Sequence, residues 1–233
     1  ANCYEASSFS ANCGFTKYVF TGIIWSCSKI NKCLKNVNYS TYGTNKDSNF
    51  QILNIVQNQN YSKFDLKISI AGAKVKFLKN IKVPIIGLHN IRNTTAAIAV
   101  ATSIGISNNI IKKSLKKFQG VQRRFTKIFS FRDISFFDDY AHHPTEIKEV
   151  LNGVRQVYND KEIVCIFQPH RISRVKNLHE EFSKSFLEAD TVVLCPIYKA
   201  GENIKLGFSY NNFAKKIIKN SKVNLILINN NLD

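Results

Sequence analysis

Apolar and polar residues alternate with a two-residue period between positions 50 and 78. Three short segments show this alternation, with turn-forming residues between them. A two-residue period is typical of strands that bury one face. The pattern therefore predicts a small antiparallel sheet made of FQILNIV (50–56), DLKISI (65–70) and AKVKFL (73–78).

Two helices are predicted after this sheet. Residues 90–104 are rich in Ala and Thr, and Gly105 ends the segment. So many small side chains indicate a helix packed closely on a sheet or beside a bound group. Ser107 is predicted to cap a second helix that ends near Phe118. Residues 120–122 then form the expected joint between two domains.

Strand and helix patterns alternate beyond this joint. Such alternation is typical of a parallel sheet covered by helices. We therefore predict an α/β fold whose C-terminal domain is Rossmann-like with a mostly parallel sheet. The predicted strands are 126–131, 134–137, 162–167, 191–195 and 223–228, and the predicted helices are 144–158, 174–187 and 211–218.

The charge of the chain favours an anionic partner. Thirty-three Lys and Arg residues against 16 Asp and Glu give a formal charge of +17. Nucleic acid, a membrane surface and phosphorylated small molecules are the partner classes that such a charge allows. The densest run, 112–117, has apolar residues at helical spacing and no aromatic residues for base stacking. We expect a solvated lysine surface and no nucleic-acid partner.

No apolar run approaches the roughly 20 residues of a membrane span. We expect no membrane partner and a cytoplasmic location. Four of the six Cys lie within the first 33 residues, no CxxC pair occurs, and Cys165 and Cys195 lie in apolar runs. These features favour reduced thiols, two of them buried, and no structural zinc site. The chain has no Met, so we expect it to be processed or incomplete.

Three polar clusters are candidates for binding or catalysis. In the first, His89 and Asn93 are four residues apart at a helix start, so they share a face. An imidazole and an amide there would contact the edge of a base, and a helix N-terminus favours anions. The alternative is that Asn90 caps the helix and His89 is an ordinary loop residue.

The second cluster, residues 138–144 (DDYAHHP), follows a strand and precedes a helix. In open α/β sheets, ligands bind past the carboxyl ends of strands. Carboxylates there would hold Mg²⁺ or ribose hydroxyls, and the His pair would contact a carboxylate or phosphate. The spacing of a helical two-His zinc site is absent. The alternative is ordinary loop polarity.

The third cluster, residues 167–174 (FQPHRISR), also ends a strand and opens a helix. Arg171 and Arg174 are three apart, so their guanidinium groups can converge on one anion. Arg124 at the joint would reach across an interdomain cleft, unless it is a solvated linker residue. Together the clusters predict a cleft between two domains that binds a nucleotide and an anionic substrate.

These clusters resemble the Mur ligases of peptidoglycan synthesis, in particular those that add alanine. The resemblance covers residues 87–202, about half the chain, in the segments GLHNIRNTTAAIAVA, FQGVQRRF, DDYAHHPTEI, FQPHRISR and CPIYKAGE. It extends more loosely to residues 40–43 and toward the C-terminus. The resemblance implies that residues 1–121 are the C-terminal part of a central ATP-binding domain, with 1–40 poorly matched. Residues 122–233 would be the C-terminal domain, incomplete at its end.

The resemblance also implies a reaction. ATP, with Mg²⁺, would phosphorylate the lactyl carboxylate of UDP-N-acetylmuramate, and the amine of L-alanine would attack the acyl phosphate. On the nucleotide side, His89 and Asn93 would lie by the adenine, Arg124 would reach the phosphates, and Asp139 would serve that side of the cleft. Tyr140 and His142 would face the muramoyl substrate, and His170, Arg171 and Arg174 would hold the alanine carboxylate or the acyl phosphate.

The sequence departs from the family in three respects. It contains no GxxxxGK[ST] phosphate loop, no N-terminal UDP-binding domain and no match to the family's metal ligands. We therefore expect that these 233 residues alone do not catalyse ligation and hold no metal. Two other hypotheses stay open: a Mur ligase that recycles murein tripeptide, and a basic nucleic-acid-binding module.

Overall fold

A computed structural model describes residues 22–25, 39–202 and 209–228. The chain divides into two compact units, Ala1–Gln119 and Gly120–Asp233. Each unit has its own hydrophobic core. The four cysteines predicted to be reduced near the N-terminus, at positions 3, 13, 27 and 33, lie outside the described residues.

The first unit contains a five-stranded sheet in the order β1-β2-β3-β4-β5. The strands are β1 (Gly22–Trp25), β2 (Tyr39–Gly43), β3 (Phe50–Gln57), β4 (Ser62–Ile68) and β5 (Lys76–Val83). β3, β4 and β5 pair in antiparallel fashion, which confirms the predicted antiparallel set. β1 and β2 add two parallel strands at the β3 edge that the hydrophobic pattern did not predict.

Two bulges shift the register on both sides of β4. They lie near Asn54 in β3 and Asn80 in β5, whose φ angles are 51° and 57°. Asp65 of β4 holds both bulges, because its carboxylate accepts from Asn54 Nδ2 at 2.8 Å and from the amide of Asn80 at 2.7 Å. β5 starts at Lys76 rather than at the predicted residue 73, since a turn at Gly72 (φ 77°) occupies the preceding residues.

Helices α1 (Leu88–Ser103) and α2 (Asn108–Lys117) lie on this sheet, α1 against β1–β3 and α2 against β5. The prediction of a helix packed on a sheet is confirmed. α1 buries one stripe whose members recur at helical spacing. They are Asn90, Ile91, Thr94, Thr95, Ile98 and Ala99.

The ends of these helices follow from local backbone preferences. Gly105, just past α1, has a φ of 84°, a conformation that glycine adopts without strain. Ser107 occupies the N-cap position of α2 as predicted, although its side chain makes no capping hydrogen bond.

The second unit has a parallel sheet in the order β10-β9-β8 and a separate antiparallel hairpin. The hairpin strands are β6 (Thr126–Phe131) and β7 (Ile134–Asp138), and the sheet strands are β8 (Val164–Phe167), β9 (Thr191–Leu194) and β10 (Asn224–Leu227). The α/β class with a mostly parallel sheet is confirmed. β6 and β7 pair only with each other in the described residues.

Four helices accompany these strands: α3 (Pro144–Val157), α4 (Ile172–Asn177), α5 (His179–Ser183) and α6 (Tyr210–Ser221). The prediction of one helix over 174–187 is wrong, because the chain leaves helical geometry at Leu178 (φ −119°). Val175, Phe182 and Phe186 are nevertheless all fully buried in the core. The buried apolar residues keep helical spacing across Leu178. The spacing therefore did not predict that the helix ends there.

The two described cysteines are free and half-buried. Burial raises the pKa of the Cys165 thiol to about 12, so it stays protonated and unreactive near neutral pH. Among the described residues, no helix is both long and apolar enough to cross a membrane.

Candidate functional site

The loop between β7 and α3 is fastened to the chain entering β6 by Asp139. One carboxylate oxygen of Asp139 accepts from the amide of Phe125 at 2.7 Å, and the other accepts from the amide of Ala141 at 2.7 Å. The amide of Tyr140 donates to the carbonyl of Arg123 at 2.8 Å. Asp139 therefore fixes the backbone that carries Tyr140 and His142.

Tyr140 lies on the outside of this loop. Its side chain is 45% exposed, so the phenol is available to a ligand. The Arg123 guanidinium lies 4.6 Å from the centre of the Tyr140 ring, and the ring of His142 lies 5.0 Å from it. The loop therefore brings the rings of the two predicted residues, Tyr140 and His142, close together.

Glu146, in the first turn of α3, organises the two histidines of the loop. His143 is the N-cap of the helix, and Pro144 takes the first helical position as predicted. Glu146 Oε2 accepts from the amides of His142 at 3.0 Å and His143 at 3.2 Å. The His143 side chain accepts in turn from the amide of Thr145 at 3.3 Å, and this reciprocal arrangement is a capping box.

The same carboxylate also faces an imidazole and a guanidinium group. Glu146 Oε2 lies 3.6 Å from His142 Nδ1, and Oε1 lies 3.7 Å from Arg124 Nη1. Burial acts to raise the pKa of Glu146, but the two amides and the neighbouring cationic groups outweigh it and lower that pKa. Sequence reasoning missed Glu146, although a Glu three residues after a helix N-cap is the usual signal of a capping box.

The loop after β8 runs alongside the segment after β9. The amide of Tyr198 donates to the carbonyl of Pro169 at 2.8 Å, and the amide of Arg171 donates to the carbonyl of Tyr198 at 2.9 Å. The rings of His170 and Tyr198 have centres 5.3 Å apart. These contacts place His170 at the carboxyl end of the parallel sheet, where open α/β proteins bind ligands.

His170 joins the two loops. Its ring centre lies 6.5 Å from that of His142, and Arg174 Nη1 lies 3.5 Å from His170 Nδ1. The predicted residues His142, His170 and Arg174 are therefore neighbours within the second unit. Arg171, the N-cap of α4, is exposed and has a φ of 66° and a ψ of 128°.

The surroundings of His170 favour its neutral form. Burial first, and then the charges of Arg174, Arg171 and His142, lower the pKa of His170 below its ordinary value of 6.5. A neutral imidazole beside two guanidinium groups can accept a proton near an anion that the guanidiniums bind.

Ser173 and Glu202 complete the contacts of this loop. The amide of Ser173 donates to Glu202 Oε2 at 3.0 Å, and its hydroxyl donates to Oε1 at 2.5 Å. Neither residue was predicted. The signals in the sequence were the presence of Ser173 in the segment FQPHRISR and of Glu202 in the segment CPIYKAGE.

In the first unit, His89 lies in the first turn of α1 and Asn93 is exposed one turn later. The N-cap is Gly87, with a φ of 96°, so the alternative that Asn90 caps the helix is wrong. Asn90 is buried and donates to the carbonyl of Ile86 at 2.7 Å. The His89 ring covers Gly87 so closely that a β-carbon there would lie 2.7 Å from Cε1.

Within the part of the chain that the structure describes, no group of three or more His, Cys, Asp or Glu side chains could hold a metal ion. The site of the second unit is instead rich in donors. His142, His170, Arg171 and Arg174 offer imidazole and guanidinium groups at the carboxyl ends of two consecutive strands. Such an arrangement suits a carboxylate or a phosphoryl group.

Comparison with known proteins identifies the class to which this fold and site belong. Residues 123–230 match the model of the Mur ligase family described as the glutamate ligase domain. The chain therefore contains a domain of the Mur ligase family. Over 195 residues, or 84% of this chain and 42% of the relative, it is 65% identical to the UDP-N-acetylmuramate–L-alanine ligase of Pelagibacter ubique.

Solved structures show the same fold. The UDP-N-acetylmuramate–alanine ligase of Thermotoga maritima matches 89% of this chain and 43% of its own, with a TM-score of 0.67 and 24% identity. A folylpolyglutamate synthase from Mycobacterium tuberculosis, complexed with ADP, matches 82% of this chain and 40% of its own, with a TM-score of 0.59 and 14% identity. The chain spans about two fifths of the length of the curated relatives it matches.

Proposed function

We propose that this chain is part of an ATP-dependent ligase that adds L-alanine to UDP-N-acetylmuramate. The observation that carries the proposal is the cluster of His142, His170 and Arg174 at the carboxyl ends of β7 and β8. This cluster offers a base beside anion-binding groups. The 65% identity to an alanine-adding ligase supports the choice of substrates.

The reaction proceeds through two steps. ATP transfers its terminal phosphoryl group to the lactyl carboxylate, which gives an acyl phosphate and ADP. The amine of L-alanine then attacks the acyl carbon, the C–O bond to phosphate breaks, and inorganic phosphate leaves. Positioning and stabilisation of negative charge carry such a reaction, so the protein needs no nucleophile of its own.

The second unit serves the amide-forming step. Arg171 and Arg174 bind the alanine carboxylate or the acyl phosphate, and neutral His170 takes the proton that the alanine ammonium must lose before attack. Tyr140 and His142 contact the muramoyl substrate. Asp139 serves the nucleotide side through the loop that it fastens to Phe125.

The remaining assignments concern ATP. His89 and Asn93 of the first unit contact the adenine, and Arg124 reaches the phosphates. In this proposal Mg²⁺ accompanies ATP, and no catalytic step is assigned to it from the described residues. The proposal includes the domain identities, with residues 1–121 belonging to an ATP-binding domain and 122–233 to the C-terminal domain, and a cytoplasmic location.

Phosphate release tests the function directly. A polypeptide of ligase length that contains this chain is assayed with ATP, Mg²⁺ and UDP-N-acetylmuramate, with L-alanine or murein tripeptide as alternative second substrates. We expect release that depends on L-alanine, and no release from the 233 residues alone. Release with tripeptide but not with L-alanine would establish the recycling ligase instead.

A variant ties that activity to the site. Arg174→Ala is expected to raise the KM for L-alanine, since it removes an anion-binding group. The matched control is Lys176→Ala, which removes an exposed cation from the same helix. Equal effects of the two substitutions would contradict the assignment of Arg174.

A further inference from the structure

Residues 198–202 and 169–173 form two adjacent walls of the site. Two hydrogen bonds between backbone groups of Pro169, Arg171 and Tyr198 join them, and two further bonds run from Ser173 to the Glu202 carboxylate. Part of the contact between the walls therefore depends on one side chain, that of Glu202.

The start of α4 has no cap of its own. Arg171 occupies the N-cap position but makes no side-chain hydrogen bond to the helix. Glu202 supplies the missing acceptor from 29 residues further along the chain. A carboxylate at a helix N-terminus is favourable, and bonds to a charged acceptor are stronger than neutral ones.

The pKa of Glu202 agrees with this role. The hydroxyl of Ser173, and then its amide, lower the pKa of the carboxyl group below its ordinary value. Glu202 is therefore ionised at neutral pH. A turn with positive φ at Ala200 (51°) and Gly201 (82°), closed by a bond from the Glu202 amide to the Lys199 carbonyl at 3.0 Å, presents the carboxylate to α4.

We propose that Glu202 is a positioning residue for the amino-acid subsite. By capping α4 through Ser173, it fixes the turn that carries Arg171 and Arg174 and holds the Arg171 backbone in its strained conformation. Its carboxylate also satisfies the amide of Ser173 in the first turn of α4. This inference rests on the proposed function and adds to it a residue that makes no contact with the reacting atoms.

Glu202→Ala and Glu202→Gln test the inference in the polypeptide of ligase length. Loss of the cap should raise the KM for L-alanine about tenfold in the alanine variant, equivalent to roughly 1.4 kcal/mol of binding. We expect kcat within about twofold of wild type and an unchanged KM for ATP, because only the amino-acid subsite is loosened. Glutamine keeps one acceptor oxygen and should give an intermediate KM.

Hydrogen exchange gives a second readout that does not depend on catalysis. The amide of Ser173 should exchange faster in Glu202→Ala, since its acceptor is lost. The matched control is Glu162→Ala, an exposed glutamate before the amino end of β8. It should change neither the KM for L-alanine nor the exchange of the Ser173 amide.

Ser173→Ala completes the test if the Glu202 variants do not fold. This substitution removes only the hydrogen bond from the Ser173 hydroxyl. The double variant Ser173→Ala with Glu202→Gln should raise the KM for L-alanine by less than the two single effects combined, because both substitutions act on the same contact. If wild type is active and the KM for L-alanine stays unchanged in every folded variant, the inference is wrong. An inactive wild type would overturn the proposed function instead, and the Ser173 exchange data would still show whether Glu202 holds the turn.

Discussion

Arg171 shows how the site stores strain in a single residue. Its φ of 66° and ψ of 128° lie in a region that a β-carbon disfavours. The conformation persists because the Arg171 amide is bonded to the Tyr198 carbonyl and Ser173 is bonded to Glu202. Strain of this kind is found where a backbone must present a side chain to a ligand.

Replacement of Arg171 by Gly or Ala measures this strain. Arg171→Gly should be more stable to urea than Arg171→Ala by about 1 kcal/mol, since relief of the strain exceeds the entropy that glycine adds to the unfolded chain. The matched pair is Lys176→Gly and Lys176→Ala within α4, where the order should reverse because helical backbone favours alanine. The same order at both positions would show that Arg171 is not strained.

The lowered pKa of His170 predicts a pH dependence. The acidic limb of kcat/KM should have its midpoint below 6.5, because the neutral base persists to lower pH than that of an ordinary histidine. Folding stability follows the same sign: the unfolded state takes up a proton near 6.5 while the folded state resists it, so stability falls as pH drops below that value.

His170→Gln, measured by kcat/KM and urea unfolding between pH 5 and 8, should lose activity and the part of the pH dependence that His170 causes. His179→Gln serves as the control, since His179 is an exposed histidine on α5. An acidic limb at or above 6.5 in wild type would contradict the prediction.

At the scale of elements, the start of α3 couples folding to the site. Glu146 caps the helix and faces both His142 and Arg124. A single carboxylate therefore holds an imidazole and a guanidinium that the proposal assigns to different substrates. The local sequence encodes the cap, because His143, Pro144 and Glu146 are within four residues, but it does not encode the contact with Arg124, which lies far earlier in the chain.

Glu146→Ala should lower the free energy of unfolding at pH 7 by about 1 kcal/mol, the usual size of a lost cap, whereas Glu146→Gln keeps one acceptor oxygen and should lose less. The folded-state pKa of Glu146 lies below its ordinary 4.5, so its contribution is present above that value and is lost as pH falls through the lower, folded value. Urea unfolding at pH 7 and pH 3 should show the difference between wild type and variant shrinking at low pH. Glu181→Gln, on the exposed side of α5, should show no such difference.

The hydrophobic pattern predicted most elements but not their breaks. Val175, Phe182 and Phe186 keep helical spacing across Leu178, so one helix and two short helices give the same pattern. The parallel pairing of β1 with β2 also has no signature in local periodicity, because it depends on which strands meet in space. Both features belong to packing rather than to local preference.

At the scale of the whole molecule, the net charge of +17 acts on stability. The ion pairs of the described residues are few and mostly exposed, and exposed pairs contribute little. Repulsion among the lysines therefore outweighs attraction. The net positive charge therefore lowers the free energy of unfolding, and added salt should reduce this effect by screening the repulsion.

We expect the midpoint of urea unfolding to rise between about 0.05 and 0.5 M NaCl, over which range the screening length falls well below 10 Å. An equal concentration of uncharged sucrose, whose effect is not one of screening, serves as the comparison. A midpoint that falls with NaCl would mean that attractive pairs dominate. Tight RNA binding with a steep salt dependence would support the nucleic-acid hypothesis instead.

The sequence by itself determined the α/β class, the polar loops at strand ends and the residue types of the candidate site. These features follow from local spacing, because the residues that end a strand and begin a helix are neighbours in the sequence. On that ground Arg174 was a candidate through its spacing from Arg171, and His142 as one of two imidazoles in a polar loop, whereas the role of His170 came from the resemblance to the Mur ligases.

Only the tertiary structure decided which residues support them. Glu202 reaches Ser173 across 29 residues, and Tyr198 pairs with the backbone beside His170. The strain at Arg171 depends on the same contacts. Hydrogen bonds between distant segments form only when the sheet brings the ends of its strands together. The local hydrophobic periodicity does not indicate which strand ends will lie side by side.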